Sequence, residues 1–589
     1  MPVIENWLKQ PLDIVQGIFD HNQDVKCFSK KVEEYFLDKL KNKTNFGCVP
    51  SLNDIESGRL KSGSLVRFRG MIQDAMEPEY FIETYQMMSK VSNEVHTCSS
   101  RYKDMISCPD GMEISESPKN ITGSRQVLYC VPIPGETVWT KMKYAEKYQT
   151  LDANVMLTSD QHVLSGSKRP IHSTESCTVE GDTNSNKRIK LTTCETNSSF
   201  SPDAVASIKL KYPLPDENGS LCIVKVYDED MEIKVNDIFE FIGILSLESL
   251  STENHEDFTE SHSFTSFVPR LHCVAINKLY HSNPLLDNIF MEKEIFDFMN
   301  NACDVRQEII TFLKKALLGD ELAAEYLLCN LVSNVYLNTE TLAVGKLSLN
   351  LSKIPTGTAY PQLLASFLSN LVCKFYYLPM TLDKINLLKF IPTKNYSSNS
   401  LESGVLQLSE GTHFFVDETV MMPGQLDANG VKNIQALASL IKMQKVDYDF
   451  KFHSVPFRHN VKVLVLSEGK SMLPCDCQIP LLPENPVPND LDTFFGTLKL
   501  PEDLMDKFRA YLTYSHSSSY EVDQSMVTSI ENDFVETRQR DGRDSMTTED
   551  LHLQLTLARS ICKSLGNAKL DPTSWEKVKC LEKLRKDRL

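Results

Sequence analysis

The sequence predicts a multidomain protein of mixed α/β and β class, and three observations predict it. Between 283 and 500, near-continuous apolar runs of strand length, such as Phe414-Phe415-Val416 and Val463-Leu464-Val465-Leu466, alternate with segments of helical period. That alternation is the order of an open α/β sheet. Between about 60 and 248 the period is two, punctuated by Gly and Pro, as in a small twisted barrel. Before 45 and after 501 apolar residues return at helical spacing.

Each element follows in turn. Residues 1–45 form an N-terminal helical segment, with Val32, Tyr35, Phe36 and Leu40 on one face. Residues 46–282 form an OB-like β-domain. Its strands lie in LKSGSLVRFRGMIQDAMEPEYFIETYQM, in a strand pair around Pro132 and Pro134, and in SLCIVKVYDEDMEIKVNDIFEFIGILSLE. An unspecific β-sandwich fits the same pattern. Inside this domain, residues 150–205 are rich in Ser, Thr, Asn and Asp and poor in large apolar residues. Such a segment buries too little surface to offset its ordering entropy, so disorder is expected. Residues 283–500 form the α/β domain, with helices at Val305–Leu318, Glu321–Tyr336 and Asn429–Val446 and strands at THFFVDET and NVKVLVL. Residues 501–589 form a C-terminal helical domain. One of its helices is introduced by Thr547-Thr548-Glu549-Asp550 and closed by Gly566, and the next opens at Asp571-Pro572.

The 589 residues carry a formal charge of −17, with 41% hydrophobic and 24% charged residues. Phosphate backbones are bound by clustered Lys and Arg, so direct DNA binding is not expected of so acidic a chain. The N-terminus lacks the pattern of a secretory signal and no run has the length of a membrane span, which predicts an intracellular protein without a membrane partner. Sixteen cysteines in that setting are read as reduced thiols. Cys475-Asp476-Cys477 has poor spacing for zinc, and no metal is expected. Two basic clusters, Lys168-Arg169 and Lys187-Arg188-Ile189-Lys190, sit in the insertion. Exposed, extended basic residues of this kind suit a bipartite nuclear-import signal; a solvated charge run is the plainer reading.

The most informative stretch is Leu401–Thr419, LESGVLQLSEGTHFFVDET. An apolar strand followed by Asp417-Glu418 has the form of a Walker B strand, one carboxylate for Mg²⁺ and one for a water. The phosphate-binding partner should be a Gly loop ending in Lys and Ser or Thr. The candidate loop is GDELAAEY, with Gly319, Asp320 and Ala324, and with Glu325 and Tyr326 in the Lys and Ser/Thr slots. Glu325 would set a negative charge against a polyphosphate. A helix–turn–helix with Gly319 as the C-cap of the first helix explains the same residues, and neither reading leaves a bound nucleotide or cofactor.

LESGVLQLSEGTHFFVDETVM resembles the Walker B region of the mini-chromosome maintenance (MCM) helicases, GDELAAEY resembles their Walker A loop with both key residues lost, and NVKVLVLSEG resembles their sensor-1 strand, with Ser467 and Glu468 in place of Asn. No Ser-Arg-Phe arginine-finger motif follows. This makes the α/β domain a degenerate AAA+-like one. A broader resemblance, carried by PLDIVQGIF, FRGMIQD, YCVPIPGE, VKVYDED, ALLGDELAAEYLL, LKFIPTK, QKVDYDF, SEGKSMLPCDCQI and EDLHLQLTLAR, is to the MCM-binding protein family and spans nearly the whole chain. It implies a non-catalytic nuclear protein that binds MCM helicase subunits and touches chromatin only indirectly. It also implies a role in DNA replication through unloading, remodelling or chaperoning the MCM complex, and a part in sister chromatid cohesion. Two alternatives remain: an ATPase with a cryptic nucleotide site, separable by assay with Glu418→Gln, and a single-strand DNA module using Arg67, Phe68, Arg69 and Tyr80 on the OB-like domain.

Overall fold

A computed structural model describes residues 6–21, 25–55, 59–90, 92, 94–106, 108–115, 117–147, 211–228, 231–247, 268–289, 292–484, 487–542 and 546–589. The chain opens with α1 (Asn6–Lys9), α2 (Pro11–His21), α3 (Val25–Leu40) and α4 (Lys43–Gly47). Phe28, Val32, Phe36 and Leu40 face inward at helical spacing and pack on Leu65, Ile242 and Ala275 of the following β-domain. These helices therefore cover one end of a barrel.

That barrel contains β1 (Leu65–Ala75), β2 (Glu79–Ser89), β3 (Val95–Ser99), β4 (Met112–Ser115), β5 (Ile121–Val131), α5 (Val138–Lys147), β6 (Cys222–Val226), β7 (Ile238–Ser246) and β8 (Arg270–Lys278). Five strands close a ring in the order β1-β7-β8-β6-β5 and back to β1. Every pair in the ring is antiparallel except β6 with β8. Closure removes the sheet edges that would otherwise expose unpaired backbone groups. β2, paired to β5, carries β3 and β4 outward as an extension. The strand pair expected around Pro132 and Pro134 is not formed. β5 ends at Val131, because prolines cannot donate to a ladder, and the chain turns through Gly135 (φ +70°) into α5. The import residues Lys168, Arg169, Lys187, Arg188 and Lys190 and the segment 150–205 lie outside the described residues.

The α/β part runs through α6 (Glu292–Met299), α7 (Ala302–Ala316), α8 (Glu321–Val332), β9 (Leu337–Asn338), β10 (Ala343–Val344), β11 (Leu349–Ser352), α9 (Tyr360–Ser369), β12 (Phe375–Pro379), α10 (Leu382–Leu387), β13 (Thr393–Asn395), β14 (Ser400–Glu402), β15 (His413–Asp417), α11 (Ala428–Met443), β16 (Lys445–Asp449), β17 (Ser454–Arg458), β18 (Lys462–Leu466) and β19 (Cys477–Pro480). A parallel sheet has the order β12-β15-β18-β11-β19. β15 and β18 are buried along their cores, which explains their unbroken apolar runs. A smaller sheet, β14-β13-β16-β17, flanks it.

The chain ends in α12 (Leu491–Thr497), α13 (Glu502–Ser517), α14 (Gln524–Asp541), α15 (Thr548–Leu565) and α16 (Pro572–Lys586). Their apolar faces share one core with α7, α8 and the parallel sheet. Helix α8 is buried from Leu322 to Val332, sandwiched between strands and C-terminal helices. An all-round buried helix needs apolar residues on every side, and ELAAEYLLCNLV supplies them save for Glu325 and Asn330. Among the described residues, no helix is long and apolar enough to cross a membrane.

Candidate functional site at the carboxyl edge of the parallel sheet

In open α/β sheets ligands bind beyond the carboxyl ends of the strands. Register sets those ends side by side here: Asp417 of β15 pairs with Leu466 of β18, and Leu466 pairs with Leu351 of β11. The rim therefore carries Glu418, Ser467 and the loop that leaves β11. Backbone bonds weld it: Glu418 N–H donates to Leu466 at 2.9 Å, Ser467 N–H to Leu351 at 3.0 Å and Lys353 N–H to the Glu468 carbonyl at 3.0 Å.

Asp417 is fully buried. Tyr377 Oη donates to one carboxylate oxygen at 2.6 Å, and Thr419 donates to the other from its N–H at 2.9 Å and its hydroxyl at 2.6 Å. Glu418 accepts from Ser471 Oγ at 2.8 Å. Burial pushes the Glu418 carboxyl up, and its donors from Ser471 and the Met472 and Leu473 backbone only partly offset this. Both carboxylates of the acidic pair thus lie at the expected strand end, and internal donors already engage them.

The phosphate loop expected at Gly319 has no strand before it. Gly319 (φ +96°) follows α7, and Asp320 is the N-cap of α8, accepting from Ala323 N–H at 3.0 Å. Ala324 is core. Glu325 lies in a helix interior, in a bidentate pair with the Arg306 guanidinium and 2.8 Å from Lys577 Nζ. Burial pushes its carboxyl up, but Arg306 and Lys577 more than reverse this and hold it below the usual range. Tyr326 donates to Glu582 at 2.5 Å, deep in the helical core. These five residues form the helix–turn–helix arrangement and do not converge on Asp417-Glu418.

The loop that does leave a strand of the sheet and enter a helix is 353–359, SKIPTGTAY in context, which follows β11 and which sequence reading passed over. The signal was present: a strand, a loop holding Gly357, then a helix. A phosphate loop places Lys and then Ser or Thr at the helix start. Here α9 opens with Tyr360-Pro361. Tyr360 is fully buried and donates to the Ala316 carbonyl at 2.9 Å. Pro361 has no hydroxyl. The loop's lysine, Lys353, stands next to the strand, not at the helix start.

The DNA-binding candidates on the barrel are corrected by burial. Phe68 is core; Arg67 is buried and pairs with Glu240; Arg69 is buried, ion-paired with Glu136 and stacked 3.5 Å over Tyr144. Only Tyr80 of the four is exposed. Arginines on the outer face of β1 that are covered by neighbouring helices and paired with carboxylates cannot line a groove for a nucleic-acid backbone.

Fold and site define a class: a closed β-barrel joined to a parallel α/β unit whose rim keeps an acidic pair while the helix after the β11 loop opens with Tyr360-Pro361, without lysine, serine or threonine. The family model described as mini-chromosome maintenance replisome factor matches residues 36–589. Relatives named mini-chromosome maintenance complex-binding protein are similar along the whole length: 37% identity in Gallus gallus and 37% in Homo sapiens, each covering 100% of this chain and 98% of the relative, and 33% in Drosophila melanogaster, covering 94% of both. The chain belongs to the mini-chromosome maintenance replisome factor family.

Proposed function

We propose that this protein binds MCM helicase subunits and regulates DNA replication without hydrolysing a nucleotide. The observation that carries the reading is the end-to-end match to relatives named MCM complex-binding proteins. The rim geometry supports it. We read the α/β unit as AAA+-like: a loop and helix follow one strand, an acidic pair ends a second, and Ser467 ends the strand between them. A buried tyrosine and a proline in the Lys and Ser/Thr slots supply neither the charge nor the Mg²⁺ ligand that phosphoryl transfer needs. The ring of five strands, with its single parallel pair, is read as OB-like.

A module with an AAA+-like face and no phosphate chemistry can occupy a neighbour's place in a helicase ring. It competes for that face by mass action, and a second contact through the barrel adds avidity. Unloading, remodelling and chaperoning of the MCM complex, and a part in cohesion, are outcomes of such competition. Nuclear residence is carried by the basic clusters Lys168-Arg169 and Lys187–Lys190.

The test is binding of purified MCM subunits in nucleotide-free buffer, with ATP turnover measured alongside. Nucleotide-independent binding is expected, retained in Asp417→Ala once circular dichroism shows the fold is kept. Binding that requires ATP, or turnover abolished by Glu418→Gln, would overturn the reading.

A further inference from the structure

At the opposite, amino edge of the parallel sheet a cavity of about 250 Å³ opens where barrel, sheet and C-terminal helices meet. The sheet supplies Lys374, His413 and Lys462, from the starts of β12, β15 and β18. Register sets them together, since His413 pairs with Phe375 on one side and with Lys462 on the other. Helix α13 supplies His516. Lys374 and Lys462 are more than nine-tenths buried, and among the described residues neither has a carboxylate within ion-pair distance.

Their existing bonds do not exhaust them. Lys462 Nζ donates to the Leu331 carbonyl at 2.6 Å, near the end of α8. Lys374 Nζ donates to Ser409 Oγ at 3.1 Å and to the Glu410 carbonyl. An ammonium has three donors, so two remain on Lys462 and one on Lys374. Nδ1 of His516 is buried without a partner, and the His413 ring, which faces the Lys374 and Leu331 carbonyls, makes no well-aligned hydrogen bond to either. Buried polar atoms are nearly always satisfied, and exceptions call for a ligand or water. The other charged groups of the lining are spoken for. The Glu410 carboxylate accepts from Asn460 at 2.7 Å, Asp237 pairs with Lys278 at 2.7 Å, and Arg509 is engaged by Glu502 and Asp506 at 2.7 Å each. His281, from the barrel side, sits against the Asp287 carbonyl at 2.8 Å. Lys563 of α15 lies behind the wall, donating to the His516 carbonyl at 2.7 Å.

We propose that this cavity is an anion site that takes a phosphate group, as free phosphate or as a small phosphate ester. Two ammonium groups match a dianion, and the imidazoles add donors in a pocket whose two carboxylates, Asp237 and Glu410, already have partners. The volume exceeds a single phosphate and leaves room for the first atoms of an ester. Burial holds Lys374 down to about 8 and Lys462 to about 7, and holds His413 and His516 well below their ordinary value. A bound dianion reverses that cost, so binding takes up protons.

The experiment is calorimetric titration of the full chain with inorganic phosphate, pyrophosphate, glycerol phosphate and sulfate, with hydrogen exchange followed on the same samples. Saturable binding is expected, with proton uptake and with added protection at residues 374, 413 and 462. Sulfate, whose own charge is constant over the range, is expected to bind more tightly at pH 6 than at pH 8.5. Binding of phosphate but not of the ester identifies the free ion as the ligand; tighter binding of the ester identifies the ester. Lys462→Met is expected to weaken binding at least tenfold, and Lys374→Met serves the same purpose if that variant does not fold. No saturable binding to the wild-type protein, or protection confined to other segments, would overturn the proposal.

Discussion

Glu325 shows how a residue that looks like a damaged catalytic slot acquires a different meaning from its neighbours. Its side chain is 10% exposed, Arg306's is 4% exposed, and Lys577 reaches in from α16. Breaking a buried pair by removing one partner leaves the other charge uncompensated and costs about 3–5 kcal/mol. Glu325→Ala should therefore lower the unfolding free energy by about that much in urea titration, while conferring no affinity for ATP. Because the folded carboxyl is held below its ordinary value, its stabilisation is full above the usual carboxylate range and is lost as pH falls through the folded value. The variant should accordingly lose less stability than the wild type between pH 5 and pH 3. Asp417 belongs to the same lesson. Three donors converge on a buried carboxylate, and hydrogen bonds to a charged group contribute about 1.5–3 kcal/mol. Asp417→Asn should cost on the order of 2 kcal/mol in the same assay. Sequence gave the position of Asp417 through its apolar run, but the partners of Glu325 stand 19 and 252 residues away, and no local pattern announces them.

Elements with strong local rules were the legible ones. Helix α15 begins at the capping box anticipated from Thr547 and Asp550: Asp550 N–H donates to Thr547 Oγ1 at 3.1 Å and Thr547 N–H to Asp550 Oδ2 at 2.9 Å. It ends at Gly566, in the left-handed region with φ +79°. Thr547→Ala should cost about 1 kcal/mol and raise hydrogen exchange in the first turn at 548–551. Gly566→Ala should cost more than the cap, because an added Cβ would lie 2.6 Å from the Met299 carbonyl in addition to the backbone strain. The turn was readable from the glycine; the close approach of Met299 was not, since it comes from α6. The strands of the small flanking sheet were missed for a related reason. β13 and β14 have three residues each, too short for any period to register. The loop 353–359 was missed because Gly319 and its neighbours offered a closer string match, and only sheet order shows which strand a loop leaves.

Across the whole molecule the barrel and the α/β unit are joined by polar groups that the barrel's own geometry ejects. A bulge between Ile72 and Asp74 leaves Gln73 out of the β1–β5 ladder, and bulges re-aim side chains in this way. Gln73 donates to the Leu401 carbonyl at 2.9 Å, Gln407 donates back to the Gln73 carbonyl at 2.8 Å, and Asp74 accepts from Leu401 N–H at 2.6 Å. All three side chains are buried, so Asp74→Ala leaves a buried N–H unpaired at a cost of about 1–3 kcal/mol. The expected sign is a lower first transition in scanning calorimetry, with the barrel separating from the rest. The three-way junction also sets the protein's response to pH. Burial depresses Lys374 to about 8 and Lys462 and Lys563 to about 7, against an ordinary lysine value of 10.5. The unfolded chain then binds more protons than the folded one between those values, so stability rises with pH across that window, by up to about 1.4 kcal/mol per pH unit for each lysine. The histidines act in the same direction at lower pH: His413 and His516 are depressed, so their contribution is complete above 6.5 and is lost as pH falls below it. Buried tyrosines and thiols set the upper limit. Burial raises Tyr448 and Tyr511 above the ordinary 10.0, and stability they confer below that value is lost as pH climbs past it. Buried thiols such as Cys222, Cys273, Cys329 and Cys373, raised above the ordinary 9.0, act the same way from a lower pH, so maximum stability should fall on the alkaline side of neutrality and no higher than about pH 9. Denaturation curves taken at unit intervals from pH 6 to 11 should show that maximum, and Lys462→Met should flatten the rise between about pH 7 and 9 by the share of one proton. An unchanged slope in the variant would show that Lys462 keeps its proton in the folded junction.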